Sequence, residues 1–480
     1  MSRLQISDLT YKYIHNMSKL KKYNPQAIAN MHILNKYGQE AINYELEKGV
    51  KEFCKTNPIK KTRDFVYKSD YFTPRNMYLI SPIYYIYYTN IVFGLAHTYL
   101  NNNSKLDFSR NRMKIFYSGL LDFNTKEGYF KKNAIYNQSF KAFQKEKQAY
   151  VGKTVLKLDL QDFFNSIKVN SLIKKLKFHL GEQKLINDLN MLLDISEFNY
   201  LPQFHYSMAS SILSQFYLLD FDKKMEQVLE REDLFLIRFV DDMFIISLQG
   251  DMSLKKYNSL LNEISFFLWE DELVLNSSKT KLLSTEEYKV SVELAETEYE
   301  DNERSFSSEK IVDERAKEII EKGYLITLVK ELCKLEKNEG IDLSKYKDLT
   351  TEYISINGED TRKVLNNIIF SGKWKFLSDK DLLKLINNWK YILFNPSQFT
   401  ILYILICRHL ENKGITDGTK IKSILNYLFR NKNFTFRDTL VAVAYLFQNN
   451  KKHSDLLRKI ETVNPNYVNF IESFIKISKG

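Results

Sequence analysis

The chain has 480 residues, 44% of them hydrophobic, which is enough to bury more than one core and to build two or three domains. Lysine and arginine total 70 against 59 aspartate and glutamate, and the resulting net charge of +11 favours phosphate-bearing partners. Its 3 scattered cysteines exclude a disulfide framework and a cysteine-based zinc site. They favour a reducing compartment, for which we expect the cytoplasm.

Two stretches near the N-terminus bear on membrane association. Residues 1–22 lack the apolar core of a signal peptide and predict an amphipathic helix. Residues 76–104 contain no Asp, Glu, Lys or Arg and are long enough to cross a bilayer. However, this stretch is rich in tyrosine, and buried tyrosine hydroxyls need hydrogen-bond partners that hydrocarbon does not provide. We therefore expect a buried helix and no membrane partner.

A basic segment follows at residues 109–119. Arg110, Arg112 and Lys114 occupy alternate positions, so a strand here would carry three cations on one face. Such a face either contacts an anionic ligand or is a solvated strand edge, where basic side chains discourage pairing.

An acidic residue marks the next predicted strand, residues 155–160. Asp159 stands among Leu156, Leu158 and Leu160, so it either ends the strand or is neutralised by a metal ion. The alternative is that Asp159 caps a following helix.

Residues 234–247 predict a β-hairpin with two carboxylates at its tip, Asp241 and Asp242. Crowding two like charges between buried strands is costly unless a cation neutralises them. Asp-Asp as ordinary turn chemistry is the alternative. Together with Asp159, the hairpin favours an oxygen-only site for two Mg²⁺ ions, with Mn²⁺ as the other option, and such sites act on phosphates.

The chain changes character after residue 284. An acidic, charge-dense stretch at residues 284–310 reads as a boundary, and beyond it apolar residues recur at helical spacing. We expect one domain over residues 1–290 and an α-helical domain over residues 291–480. The predicted helices cover residues 313–337, 379–394, 399–414, 420–430 and 437–450. No fixed repeat period is evident, so HEAT-like helical pairs stay one option.

Four motifs in order give the chain a family resemblance. They are KLDLQDFFNSI (157–167), LPQFHYSMASSILSQFYLLDFD (201–222), FVDDM (239–243) and ELVLNSSKTKLL (272–283). Their order and spacing resemble the palm of a reverse transcriptase. The resemblance implies an α+β fold with right-hand polymerase fingers and palm, an antiparallel palm sheet with helices, and then an all-α C-terminal domain.

The resemblance also implies roles for single residues. Asp159, Asp241 and Asp242 would be catalytic and bind the two metal ions, and Phe239 would lie beside the primer terminus. Four further residues would contact the nucleotide. Phe164 would screen the sugar 2′-hydroxyl, Lys279 would contact the departing pyrophosphate and Arg112 the triphosphate. Gln203 would contact the incoming nucleotide or the template base. For these five, ordinary packing or solvation is the alternative. The implied partners are dNTPs and DNA or RNA.

One motif departs from the family pattern. The family usually has Leu-Pro-Gln-Gly, whereas this chain has Leu201-Pro202-Gln203-Phe204 and about two extra residues downstream, which puts template and nucleotide contacts in doubt. This departure and the long helical C-terminus resemble the bacterial abortive-infection and defence-associated reverse transcriptases, such as AbiK and AbiA. That group implies anti-phage defence, untemplated DNA synthesis primed from a protein hydroxyl, and homo-oligomers. An RNA-templated enzyme with a partner non-coding RNA, and a non-catalytic RNA-binding scaffold, are the alternatives.

Overall fold

The computed structural model describes residues 3–20, 24–66, 75–100, 103–124, 136–250, 252–295, 310–339, 342–356, 361–388, 398–417 and 454–475, with a few single positions between 420 and 446. The chain divides into two compact units. Unit 1 comprises residues 1–63, 76–295 and 473–475, and unit 2 comprises residues 64–75, 296–472 and 476–480.

Unit 1 begins with helices and a small sheet. The elements are α1 (Arg3–Leu20), α2 (Pro25–Glu47), α3 (Val50–Thr56), β1 (Lys61–Arg63), β2 (Met77–Ile80) and α4 (Pro82–Tyr99). Helix α1 is the helix predicted at the N-terminus, and α4 is the one predicted within residues 76–104. Of the helices in the described ranges, none combines the length and apolar character needed to span a bilayer.

The rest of unit 1 alternates strands and helices. The elements are β3 (Met113–Phe116), α5 (Tyr136–Gln148), β4 (Val155–Leu158), α6 (Phe163–Ser166), α7 (Val169–Leu180), α8 (Lys184–Ile195), β5 (Gln203–Phe204), α9 (Met208–Tyr217), α10 (Leu219–Arg231), β6 (Leu234–Phe239), β7 (Asp242–Ser247), α11 (Leu254–Glu270), β8 (Lys281–Leu283) and α12 (Thr285–Ala295). Buried apolar residues from Ile6 to Val292 form one continuous core. The first unit is therefore a mixed α+β body.

The main sheet has five strands in the order β3-β6-β7-β4-β8. Strands β6, β7, β4 and β8 pair antiparallel, as expected, but β3 pairs parallel with β6 at the edge. The basic segment therefore joins the same sheet as the aspartate hairpin, as an edge strand. Its alternation is visible in the burial of Met113 and Ile115, with Lys114 exposed between them.

Helix α4 shows how an uncharged, tyrosine-rich segment is buried in protein. Four tyrosine hydroxyls near the start of α4 each make a hydrogen bond, so these polar groups are satisfied inside the core. The pairs are Tyr84 with Ser196 Oγ, Tyr85 with the His205 carbonyl, Tyr87 with the Lys48 carbonyl and Tyr88 with Ser210 Oγ.

Every described element that lies wholly or mainly in unit 2 is helical. These elements are α13 (Lys310–Glu321), α14 (Tyr324–Glu339), α15 (Leu343–Ile354), α16 (Thr361–Phe370), a 3₁₀ turn (Lys373–Phe376), α17 (Asp379–Asn387), α18 (Gln398–Asn412), α19 (Ser454–Glu461) and α20 (Pro465–Phe474). The helix predicted at residues 313–337 is interrupted at Gly323, whose φ of +65° suits glycine. Most residues of the helices predicted at 420–430 and 437–450 lie outside the described residues.

Candidate active site

The hairpin predicted from sequence is formed by β6 and β7. Phe239 and Asp242 are the last cross-strand pair, so Val240 and Asp241 make a two-residue turn between the strands. Val240 has a φ of +56°, a conformation that a β-branched residue rarely adopts. The turn that carries Asp241 is therefore strained and has to be held by its surroundings.

Asp159 follows β4 directly and meets the hairpin through the register of the sheet. Leu158 lies opposite Met243, so the same antiparallel register carried one residue further brings Asp159 opposite Asp242. Directly opposed residues have Cβ atoms about 5 Å apart. The fold thus brings together the three carboxylates that the sequence singled out, from two separate parts of the chain.

A second segment binds Asp159 on its other side. The Asp159 carbonyl accepts from the Asn276 backbone N–H at 2.8 Å, and the Asn276 amide donates to Asp159 Oδ1 at 3.1 Å. Lys279 Nζ lies 3.1 Å from Asp159 Oδ2. Both oxygens of this nearly buried carboxylate are therefore occupied by donors from one short loop.

Burial and neighbouring carboxylates raise the pKa of two of these groups, Asp241 and Asp242. Burial is the main cause that raises the pKa of Asp241 above its ordinary value, and the charges of Asp242 and Asp159 add to it. The pKa of Asp242 is raised by burial and by the charge of Asp159. Burial lowers the pKa of Lys279, but the three carboxylates outweigh it and the net direction is upward. A divalent cation would relieve this repulsion.

The donor set fits a hard cation, because it offers carboxylate oxygens alone. Within the described ranges, no three His, Cys, Asp or Glu side chains are already gathered as a metal site, and Lys279 holds one oxygen of Asp159. A metal ion that binds Oδ2 of Asp159 would therefore compete with Lys279 for this oxygen. Its ammonium is the positive charge that balances this carboxylate in the metal-free protein.

Phe164 stands on a one-turn helix next to Asp159. Phe164 is half-buried, and its ring meets the buried Phe163 edge-on. The neighbouring Asn165 accepts a 2.7 Å hydrogen bond from Asn76, the residue before β2. Because Met77 of β2 pairs with Gln203 of β5, the start of β2 connects Gln203 with the helix of Phe164.

The Phe204 that replaces the family's glycine is a core residue. It is 2% exposed, and its ring packs edge-on against three tyrosines of α4 and against Phe198. Side chains alternate along a strand, so Gln203 points to the opposite face and is half-buried. The substitution thus adds core packing on one face of β5 and leaves the other face to Gln203.

Phe239 and Arg112, which the sequence assigned to the primer terminus and the triphosphate, contact other parts of the protein. Phe239 is 6% exposed and packs against Phe140 and Phe143 of α5. Arg112 Nη2 pairs with Asp233 at 3.0 Å. Asp233 precedes β6, whose six residues span about 20 Å at ~3.3 Å per residue before the aspartate turn. The structure therefore does not bring Arg112 to the carboxylates, and its expected contact with the triphosphate lacks support from its position.

Sequence reasoning missed residues that shape the site. Asn276 lies in the motif ELVLNSSKTKLL (272–283), and its position three residues before Lys279 was the available signal. Asn76 and the buried Arg238 of β6 gave no such signal, because their partners Asn165 and Asp222 are distant in sequence.

Comparisons with known proteins bear on both parts of the chain. A family model described as "Reverse transcriptase (RNA-dependent DNA polymerase)" matches residues 113–307, and one described as "Domain of unknown function (DUF8609)" matches residues 316–472. Each covers less than half of the chain. Among curated proteins, none matches the sequence.

One similar solved structure is that of telomerase from Candida albicans in complex with a fragment of telomeric RNA. The identity is 14%, the match covers 62% of this chain and 52% of that one, and the TM-score is 0.24. The chain thus spans about half the length of this neighbour. A likeness at this level carries no weight for fold or function.

Proposed function

We propose that the protein is a nucleotidyltransferase that extends a DNA strand from deoxynucleoside triphosphates, because residues 113–307 match a reverse-transcriptase family model. The observation that carries the proposal is the meeting of Asp159 with Asp241 and Asp242 at the ends of β4 and the hairpin. Two of these carboxyls have raised pKa values from burial and mutual repulsion, which is the electrostatic setting of a cation site.

In this proposal the three carboxylates hold two Mg²⁺ ions, or Mn²⁺ in their place. When bound, such ions activate a primer hydroxyl for attack on the α-phosphate and stabilise the departing pyrophosphate. Asn276 keeps Asp159 in place through two hydrogen bonds. Lys279, released from Asp159, offers a positive charge or a proton to the pyrophosphate.

The nucleotide is proposed to lie between the carboxylates and the start of β2. Phe164 is half-buried next to this space, and a rigid ring there would collide with a ribose 2′-hydroxyl and favour deoxynucleotides. Gln203, on the face of β5 opposite Phe204, would contact the nucleotide or the template base. Phe239 would support the primer end through its packing on α5.

The test is incorporation of labelled dNTPs by the purified chain with Mg²⁺, without added nucleic acid and with primed RNA or DNA templates. Asp241→Asn should abolish incorporation and leave the circular-dichroism spectrum unchanged. The matched control is Asp233→Asn, which alters an aspartate at the other end of the same hairpin. Undiminished synthesis by the Asp241 variant would refute the proposal.

We further propose that the enzyme belongs to the abortive-infection group. This assignment is supported by Phe204, which stands where the family usually has glycine, and by the helical region after residue 310. We propose that it acts in anti-phage defence as a homo-oligomer, making untemplated DNA primed from its own hydroxyl. Sequencing the product, including any DNA attached covalently to the chain, separates this from copying of a partner RNA. A non-catalytic RNA scaffold would bind RNA and make no DNA.

A further inference from the structure

A fully buried arginine in β6 connects a helix to the turn that carries Asp241. Arg238 Nη2 lies 2.6 Å from Asp222 Oδ2 on α10, and neither side chain is exposed. Nη1 of the same guanidinium donates to the Val240 carbonyl at 3.2 Å. One side chain thus joins α10, β6 and the turn.

Stability alone does not account for this ion pair. Arg238 Nε and Asp222 Oδ1 are buried and have no hydrogen-bond partner among the described residues. Taking two charges out of water is costly, and apolar residues of similar volume often stabilise a fold as well or better. The ion pair therefore stabilises this part of the core less than apolar side chains of similar volume could. A role in positioning other residues would explain why it is there.

The position that the pair controls is a single peptide group. The Val240 carbonyl belongs to the same peptide plane as the Asp241 nitrogen, so a hydrogen bond to that oxygen orients the plane from which Asp241 departs. The Val240 N–H donates to the Phe116 carbonyl of β3 at 3.0 Å. Val240 is thereby held from both sides in its strained conformation, with a φ of +56°.

Building on the proposed nucleotidyl transfer, we propose that Arg238 is a positioning residue for Asp241. Its guanidinium, fixed by Asp222, holds the Val240 carbonyl and so keeps the Asp241 carboxylate directed toward Asp159 and Asp242. Arg238 itself contacts neither substrate nor metal. The planar guanidinium donates to Val240 from Nη1 and to Asp222 from Nη2, whereas a lysine would have to reach both oxygens from one nitrogen.

The deciding variant replaces both charges, Arg238→Met with Asp222→Val. The two apolar side chains together occupy a volume close to that of the original pair, so the melting temperature should stay within a few degrees of the parent chain. We expect at least a tenfold weaker affinity for Mn²⁺, measured from the free-ion signal in electron paramagnetic resonance. Incorporation of dNTPs should fall at least as far, with KM for the nucleotide unchanged.

Arg238→Lys provides a second measurement, because it keeps the charge beside Asp222 and loses the arm to Val240. It should reproduce the loss of Mn²⁺ affinity. The control for lost stability is Leu189→Ala, which opens a cavity beside α8 in the core of unit 1 and changes no charge. That control should lower the melting temperature and leave Mn²⁺ affinity as in the parent chain.

Amide hydrogen exchange tests the positioning independently of any activity. Exchange in peptides covering residues 239–243 should be at least tenfold faster in the Arg238/Asp222 double variant than in the parent chain or in Leu189→Ala. Parent-like exchange and Mn²⁺ affinity in the folded double variant would overturn the role of Arg238. If the parent chain made no DNA and bound no Mn²⁺, the proposed function would fail, while the exchange data would still decide whether Arg238 holds the turn.

Discussion

The ammonium nitrogen of Lys279 lies 3.1 Å from Oδ2 of Asp159, so a lysine holds the place beside this carboxylate that a metal ion would take. The lysine is half-exposed and the aspartate nearly buried. A cation that binds Asp159 competes with Lys279, and the lysine becomes available to another anion once it is displaced. The same contact therefore balances charge in the metal-free protein and keeps a cation ready for pyrophosphate.

Lys279→Gln should separate these two effects. Removing the competing ion pair, worth about 0.2–1 kcal/mol when one partner is a solvent-exposed lysine, should tighten Mn²⁺ binding severalfold. Loss of the positive charge should lower the incorporation rate at least tenfold. Mn²⁺ titration and single-turnover incorporation measure the two changes, with Lys281→Gln as the control two residues further along. Weaker Mn²⁺ binding in Lys279→Gln would show that the lysine does not compete with the metal.

The aspartate cluster predicts an unusual pH dependence of stability. Burial and the neighbouring carboxylates raise the pKa of Asp241 and Asp242 in the folded chain. Between the ordinary value of about 3.9 and these raised values, the folded protein binds more protons than the unfolded one. The metal-free protein should therefore gain stability as the pH falls from 8 to 6.

Asp241→Asn should remove part of this pH dependence and stabilise the metal-free protein at pH 8 by on the order of 1 kcal/mol. Thermal melts in EDTA across this pH range provide the measurement. Asp233→Asn serves as the control and should keep the parent slope. A parent chain that loses stability on acidification through this window, with Asp241→Asn unchanged, would contradict the assignment of the cluster.

Phe164→Ala should relax the choice of sugar. If the ring screens the 2′-hydroxyl, its removal should raise ribonucleotide incorporation relative to deoxynucleotide incorporation by at least tenfold, with little loss of stability because the side chain is half-buried. Phe163→Ala is the matched control, since that neighbouring ring is 3% exposed and its loss should cost about 3–5 kcal/mol. Paired kinetics with dCTP and CTP decide the outcome, and an unchanged ratio in Phe164→Ala would assign the ring to packing.

Phe204→Gly should damage the fold although it restores the glycine usual in the resembled family. The ring fills a space lined by Tyr84, Tyr85, Tyr88 and Phe198, so its removal should cost at least about 3–5 kcal/mol of unfolding free energy. Chemical denaturation measures this loss. Phe178→Ala, at a ring that is 79% exposed, should shift stability by less than about 0.5 kcal/mol. A stable and more active Phe204→Gly protein would show that the phenylalanine is dispensable.

The sequence by itself determined the strands and the acidic residues at their ends. Runs of β-preferring apolar residues predicted the hairpin and the strand before Asp159, and the family resemblance singled out Lys279. The uncharged, tyrosine-rich stretch was also predictable as a buried helix, because its hydroxyls have to be satisfied within protein. These inferences depend on neighbours along the chain, which sequence reports directly.

Only the tertiary structure decided which distant residues meet. It paired Arg238 of β6 with Asp222 of α10 and buried the ring of Phe204 in the core. It also placed Arg112 beside Asp233, so a cation considered for ligand binding forms an ion pair with an acidic side chain of the protein itself. Pairings of this kind depend on sheet order and helix packing, which spacing along the chain does not specify. The sequence therefore determined which carboxylates to suspect, and the fold decided which side chains hold them in position.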